Sequence, residues 1–192
     1  MQGARIAVDD LACRRGDRVL FRGLSFKLEA GQALQIAGAN GVGKSSLLRL
    51  IAGLARPFAG SVERSGTVGL IDERPALDPD LPLDRALAFW SRLDGGQPAG
   101  SGALGLDDLL DVPVRYLSTG QRKRAAMARL IGQNAAVWLL DEPLNGLDIH
   151  AVRIFEDLTS AHCANGGIAI IASHQPFALS DLTTLTLADY AA

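Results

Sequence analysis

Three stretches of this 192-residue chain gather side chains suited to phosphate chemistry. The first reads Gly38-Ala39-Asn40-Gly41-Val42-Gly43-Lys44-Ser45, with Ser46 next. It fits G-x-x-x-x-G-K-[ST], the P-loop pattern. Glycines allow backbone conformations that turn several N–H groups onto phosphate oxygens, and a helix starting near Lys44 aims its positive dipole end at the same point. Lys44 adds a full charge for the β- and γ-phosphates, and the Ser45 hydroxyl suits Mg²⁺. Lysine is scarce, only Lys27, Lys44 and Lys123 among 19 basic residues, so a lysine in a demanding place has a reason.

The second stretch, Val137-Trp138-Leu139-Leu140-Asp141-Glu142, is an apolar strand ending in two acids, a Walker B arrangement. Asp141 is placed to hold Mg²⁺ through water, and Glu142 to act as the general base that polarises an attacking water. The plain alternative is a strand capped by surface acids. The third is His174, at the end of the apolar run Ile168–Ala172. A lone histidine is as often structural as functional. His150 and His162 read as exposed helix positions without a role.

These residues need a scaffold, and the apolar pattern supplies one. Ile6–Val8, Val19–Leu20 and Leu24–Leu28 read as three short strands, followed by Ala33–Ala37 and a helix over Ser45–Ala52 that Gly53 and Pro57 end. A strand at Val68–Ile71 precedes helical signals at Leu83–Leu93 and Leu104–Leu110, with a surface loop across 95–105. Helices over Thr119–Gly132 and Ile149–Cys163 alternate with the buried strands Val137–Leu140 and Ile168–Ala172, and Leu182–Leu187 reads as a last strand. Apolar strands alternating with helices imply a parallel sheet covered on both faces.

Composition narrows the function classes. Hydrophobic residues at 48% and charged residues at 21% exclude a disordered or collagen-like chain. No apolar run approaches the ~18 residues of a membrane span. A net charge of −2 without a basic stretch argues against a dedicated nucleic-acid binder. Residues 1–10 lack the apolar segment of a secretory leader, so Cys13 and Cys163 are expected as isolated reduced thiols.

Leu117-Ser118-Thr119-Gly120-Gln121, followed by Arg122-Lys123-Arg124-Ala125-Ala126-Met127-Ala128-Arg129-Leu130, resembles the signature of ABC-type ATPases, usually Leu-Ser-Gly-Gly-Gln. A serine hydroxyl and glycine N–H groups at a helix start form an anion site. In the family this site covers the γ-phosphate held by a second protomer. Asn145-Gly146-Leu147-Asp148 resembles the D-loop that links the two sites of such a dimer, and His174 resembles the switch histidine. The resemblance runs the length of the chain. It implies an α/β fold, a P-loop NTPase of ABC type. Its mostly parallel sheet is flanked by helices, with an N-terminal antiparallel β region. A small helical subdomain at about 78–132 would be inserted within one domain over 1–192. It also implies ATP and Mg²⁺ as ligands. The catalytic set would be Glu142, His174 and Lys44. Nucleotide contacts would come from Gly38, Ala39, Asn40, Gly41, Val42, Gly43, Lys44, Ser45 and Ser46, and from Ser118, Thr119, Gly120, Gln121 and Asp148. Ser45 and Asp141 would hold the metal.

Two positions depart from the family pattern. The neighbourhood where an aromatic residue usually stacks on adenine reads Cys13-Arg14-Arg15-Gly16, leaving Arg14 or Arg15 to stack by its guanidinium plane. The glutamine expected after Val68–Ile71 is missing from Asp72-Glu73-Arg74-Pro75, which puts a carboxylate there instead.

Gly166–Pro176, Ser46–Pro57 and Leu87–Trp90 are similar to the haem-exporter branch that serves cytochrome c maturation. That likeness implies a homodimer of ATP-binding subunits, peripheral on the cytoplasmic face of the bacterial inner membrane. It would work with integral membrane permease subunits of a cytochrome c maturation complex, in haem export or release of a haem-loaded chaperone, without ligating haem itself. Competing readings are an ABC ATPase for a lipid, peptide or drug, a weakly hydrolysing nucleotide-gated subunit, and an iron–sulfur assembly ATPase.

Overall fold

The computed structural model describes residues 3–95 and 102–191, so most of the expected 95–105 loop lies outside the described residues. The chain begins with two long strands, β1 (Arg5–Arg15) and β2 (Arg18–Glu29), paired antiparallel. Three short strands were expected here. The register shifts along β1, where Asp10 takes φ 46°, are bulges rather than turns, so the apolar pattern breaks while the pairing continues. A third strand, β4 (Ala59–Ser65), joins the other edge of β1. The sequence gives little sign of β4. Its only large apolar residue is Val62 and most of it is exposed, so pairing to β1 rather than burial makes it a strand.

The second sheet is fully parallel, in the order β5 (Val68–Ile71), β6 (Val137–Asp141), β7 (Ile168–Ala172), β3 (Ala33–Ala37), β8 (Thr183–Thr186). Strand side chains alternate between faces. Leu34, Ile36, Val137, Leu139, Ile168 and Ile170 point to one core, shared with α1 (Lys44–Ala52) and with Ile6, Leu11, Phe21 and Leu24 of the antiparallel sheet. Ile71, Trp138, Leu140, Ala169 and Ile171 point to the other. That core is filled by α2 (Leu83–Asp94), α3 (Thr119–Gly132) and α4 (Ile149–Ala164). Leu47, Leu48, Leu50 and Ile51 of α1 are buried, each worth roughly 1.5–3 kcal/mol relative to exposure, which fixes the helix behind the loop at 38–43.

The helix expected at Leu104–Leu110 is absent. Two 3₁₀ turns stand there, Gly102–Leu104 and Asp107–Leu109, separated by Gly105 at φ 61°, a conformation that cannot continue a helix. Among the described residues no helix is long and apolar enough to cross a membrane.

Four loops leave the carboxyl ends of neighbouring parallel strands: 38–43 after β3, 72–75 after β5, Glu142–Asn145 after β6 and Ser173–His174 after β7. In open parallel sheets that edge is where ligands bind.

Candidate active site

Gly43 is the N-cap of α1 at φ 117°, and no side chain covers the helix's first N–H groups. A Cβ at Gly43 would sit 3.3 Å from Phe21 and 3.4 Å from Leu20, so both conformation and space require glycine. The uncapped donors open onto a cleft of about 310 Å³, lined by Arg15, Leu20, Asn40, Gly41, Gly43, Lys44, Ser45, Ser46, Glu73, Glu142 and Asn145. The buried Lys44 lies at the positive end of the helix dipole, the less favourable end for a cation. Its Nζ donates to the carbonyls of Gly38 (2.8 Å) and Ala39 (3.3 Å) and lies 3.1 Å from Glu142 Oε1. Two carbonyls and a carboxylate hold the ammonium at the helix start, where it adds a positive charge to the uncapped N–H donors and suits anionic phosphate.

Glu142 follows β6 with φ 45°, a left-handed conformation that costs a non-glycine residue about 1–3 kcal/mol. Its N–H donates to the Ala172 carbonyl (2.8 Å). Its carbonyl accepts from Lys123 Nζ. The second carboxylate oxygen, Oε2, lies 2.8 Å from His174 Nδ1. Lys44, Glu142 and His174 thus form one continuous polar chain that starts in the cleft.

Asp141 is 4% exposed, and its Oδ1 has no hydrogen-bond partner. Burial pushes its pKa up; the hydrogen bond to the Ser45 side chain opposes this, while the Glu142, Glu73 and Asp72 carboxylates add to it. An unpartnered buried carboxylate oxygen beside a serine hydroxyl is a hard-oxygen donor pair that fits Mg²⁺. No group of three or more His, Cys, Asp or Glu that could hold a metal exists among the described residues.

Ser118, Thr119, Gly120, Gln121 and Asp148 do not line this cleft. Ser118 and Gln121 form a capping box at the start of α3: Ser118 Oγ accepts from the Gln121 N–H (3.2 Å), and Gln121 Oε1 accepts from the Ser118 N–H (2.7 Å). Asp148 caps α4 by accepting from the Ala151 N–H (2.8 Å), and that bond holds its carboxyl below the usual range. The two segments meet each other instead, since a Cβ on Gly120 would fall 2.8 Å from the Gly146 carbonyl.

Residues 21–145 match the ABC transporter family. This chain belongs to that family. It is 58% identical over 191 residues to the cytochrome c biogenesis ATP-binding export protein CcmA of Novosphingobium aromaticivorans, covering 99% of each. It is 50% identical to the protein of the same name from Zymomonas mobilis, over 98% of this chain and 87% of that one. An ABC transporter ATP-binding protein of Pyrococcus furiosus matches 98% of this chain and 100% of its own with a TM-score of 0.83. At 20% identity that likeness shows the shared α/β fold alone.

Both departures from the ABC pattern have a definite geometry. Arg14 lies 4.7 Å over the Phe58 ring and is occupied there, whereas Arg15 lines the cleft. Asp72 turns away, 3.6 Å from Arg49 and accepting from the Arg74 N–H, whereas Glu73 lines the cleft. Among the histidines one expectation fails: His162 is not an exposed helix position. Its half-buried ring stacks on Trp138 with centroids 4.0 Å apart, because α4 packs on β7 and brings the ring over the neighbouring β6. Sequence reasoning also gave no role to Lys123. The signal was present in its rarity and in its place within the first turns of the signature helix.

Proposed function

We propose that this chain is the ATP-binding and ATP-hydrolysing subunit of a membrane export complex in c-type cytochrome biogenesis. The observation that carries the hydrolytic reading is the polar chain Lys44–Glu142–His174 set across an uncapped helix N-terminus. The relatives' shared name supports the biological setting. The loop N–H groups and Lys44 would hold the phosphates. Glu142, turned into the cleft by its backbone, would orient and polarise the attacking water. His174 would fix the Glu142 carboxylate through Oε2. Ser45 and Asp141 would hold Mg²⁺, which when bound neutralises phosphate charge. Ser118, Thr119, Gly120 and Gln121 would complete the site of a second copy, with Asp148 near the junction.

We read 1–192 as one ABC domain with about 78–132 as its helical part. It would form a homodimer, peripheral on the cytoplasmic face of the inner membrane, bound to permease subunits. Haem, free or on a chaperone, would be the cargo of the complex rather than a ligand of this chain.

The test is Mg²⁺-dependent ATP hydrolysis by the full chain, with and without co-expressed cytochrome c maturation membrane subunits. Glu142→Gln is expected to lower turnover by about 10²–10⁴-fold with ATP still bound. Lys44→Ala is expected to lose binding as well. A wild-type rate no higher than that of Glu142→Gln, partners included, sinks the hydrolytic reading. Stimulation by an unrelated exporter's permease, and not by these partners, would move the chain to another substrate.

A further inference from the structure

Among the described residues the buried basic side chains are Lys44 and Lys123, and both end on Glu142. Lys44 meets the carboxylate, whereas Lys123 donates to the main-chain carbonyl. Lys123 is 7% exposed and belongs to α3, five residues past its Ser118 cap. A buried ammonium is a costly way to make one hydrogen bond to a neutral carbonyl, which glutamine would also satisfy. The surroundings explain the charge. Three carboxylates act on it, those of Glu142, Asp141 and Glu73, and they partly offset the burial that pulls its pKa down. Glu73 is the acid that lines the cleft where the family carries a glutamine.

Glu142 also needs a restraint. Its backbone sits at φ 45°, a conformation costly for a non-glycine residue, and in that conformation its carboxylate meets Lys44 and His174. The Ala172 carbonyl accepts from the residue's N–H, and its own carbonyl accepts from Lys123 and, at 3.4 Å, from the Asn145 N–H, so the strained unit is pinned at both ends.

We propose that Lys123 is a positioning residue for the reaction: it clamps the Glu142 main chain in its left-handed conformation. It thereby ties the Ser118–Gln121 end of α3 to the hydrolytic carboxylate. A displacement of that helix end is passed to Glu142 through one side chain. The kinetic part of this inference rests on the reading of Glu142 as the base, whereas the clamp itself does not.

The experiment compares full-length wild type, Lys123→Met, Lys123→Arg and Lys123→Gln, alone and with the membrane subunits. Methionine keeps the length and removes donor and charge, arginine keeps both, and glutamine keeps a donor only. Lys123→Met is expected to lower kcat about 10- to 100-fold, the scale of a small misplacement of a catalytic group, with KM for MgATP changed by no more than about threefold. Lys123→Arg recovers most of the rate. Lys123→Gln, which keeps a donor for the Glu142 carbonyl, is expected to retain more of the rate than Lys123→Met. Amide hydrogen exchange without nucleotide reads the clamp directly: 141–146 exchanges faster in Lys123→Met and as wild type in Lys123→Arg. Unchanged exchange in Lys123→Met, or a wild-type kcat, overturns the proposal, as does a loss confined to KM. A wild type no faster than Glu142→Gln would instead count against the hydrolytic function, and the exchange result would still decide whether Lys123 holds the segment.

Discussion

His162 shows how a single side chain escapes a sequence pattern. Its place near the end of a polar-looking helix suggests exposure, yet the ring lies nearly parallel to Trp138 and its Nε2 is 3.3 Å from the Ile168 carbonyl. Packing of α4 on β7 brings the ring over Trp138 of the neighbouring β6, and no local spacing encodes it. The consequence is a pH dependence of stability. Burial holds the His162 pKa below the ordinary 6.5, while its backbone contacts oppose the shift. The unfolded chain therefore binds this proton more readily than the folded one. The stability His162 contributes is present above pH 6.5 and is lost as pH falls from there toward the depressed folded value, at a slope of at most about 1.4 kcal/mol per pH unit. Urea unfolding of wild type and His162→Phe between pH 7.5 and 5 checks this. The variant is expected to lose less stability over that range, and parallel curves would show that the ring titrates alike in both states. Lys44, Asp141 and Glu142 were legible by contrast, because their chemistry depends on motifs that are local in sequence.

Elements were legible where burial and local propensity agree. Strands β3, β5, β6 and β7 announce themselves as apolar runs because parallel strands are covered on both faces. The edge strand β4 does not, since it is stabilised by its neighbour's backbone and not by its own side chains. The signature helix adds a relation between elements that spacing alone cannot show. Gly120 lets the start of α3 lie directly against the loop at 145–148, with the Gly146 carbonyl 2.8 Å from where a Cβ would be. Backbone atoms cannot yield as a flexible side chain does. Gly120→Ala is therefore expected to force α3 and the loop apart and to cost about 1–3 kcal/mol, the usual penalty of overpacking. Thermal unfolding should show a fall of several degrees, whereas Thr119→Ala, at an exposed position, should leave the midpoint nearly unchanged. Equal midpoints for wild type and Gly120→Ala would mean that the contact is loose.

At the scale of the molecule, the P-loop side of the chemistry is assembled on one edge of the parallel sheet, while Ser118–Gln121 stand apart from that cleft with their polar groups turned into a helix cap. One chain therefore presents an uncapped helix start beside the Lys44–Glu142–His174 contacts, and elsewhere the capped start of α3, without bringing the two together. Ile149 and Tyr116, beside the 145–148 and 117–121 segments, are large apolar residues left 75% and 68% exposed. If two copies share each nucleotide, association should require ATP and should be trapped when hydrolysis is blocked. The full-length Glu142→Gln variant is expected to run as a dimer in size-exclusion chromatography with MgATP and as a monomer with MgADP. Ser118→Arg in the same background, which puts a bulky cation at the helix start, should keep ATP binding and lose the dimer. A Glu142→Gln protein that stays monomeric at saturating MgATP, both alone and with its membrane subunits dissociated, would mean that its signature segment serves a site on some other chain.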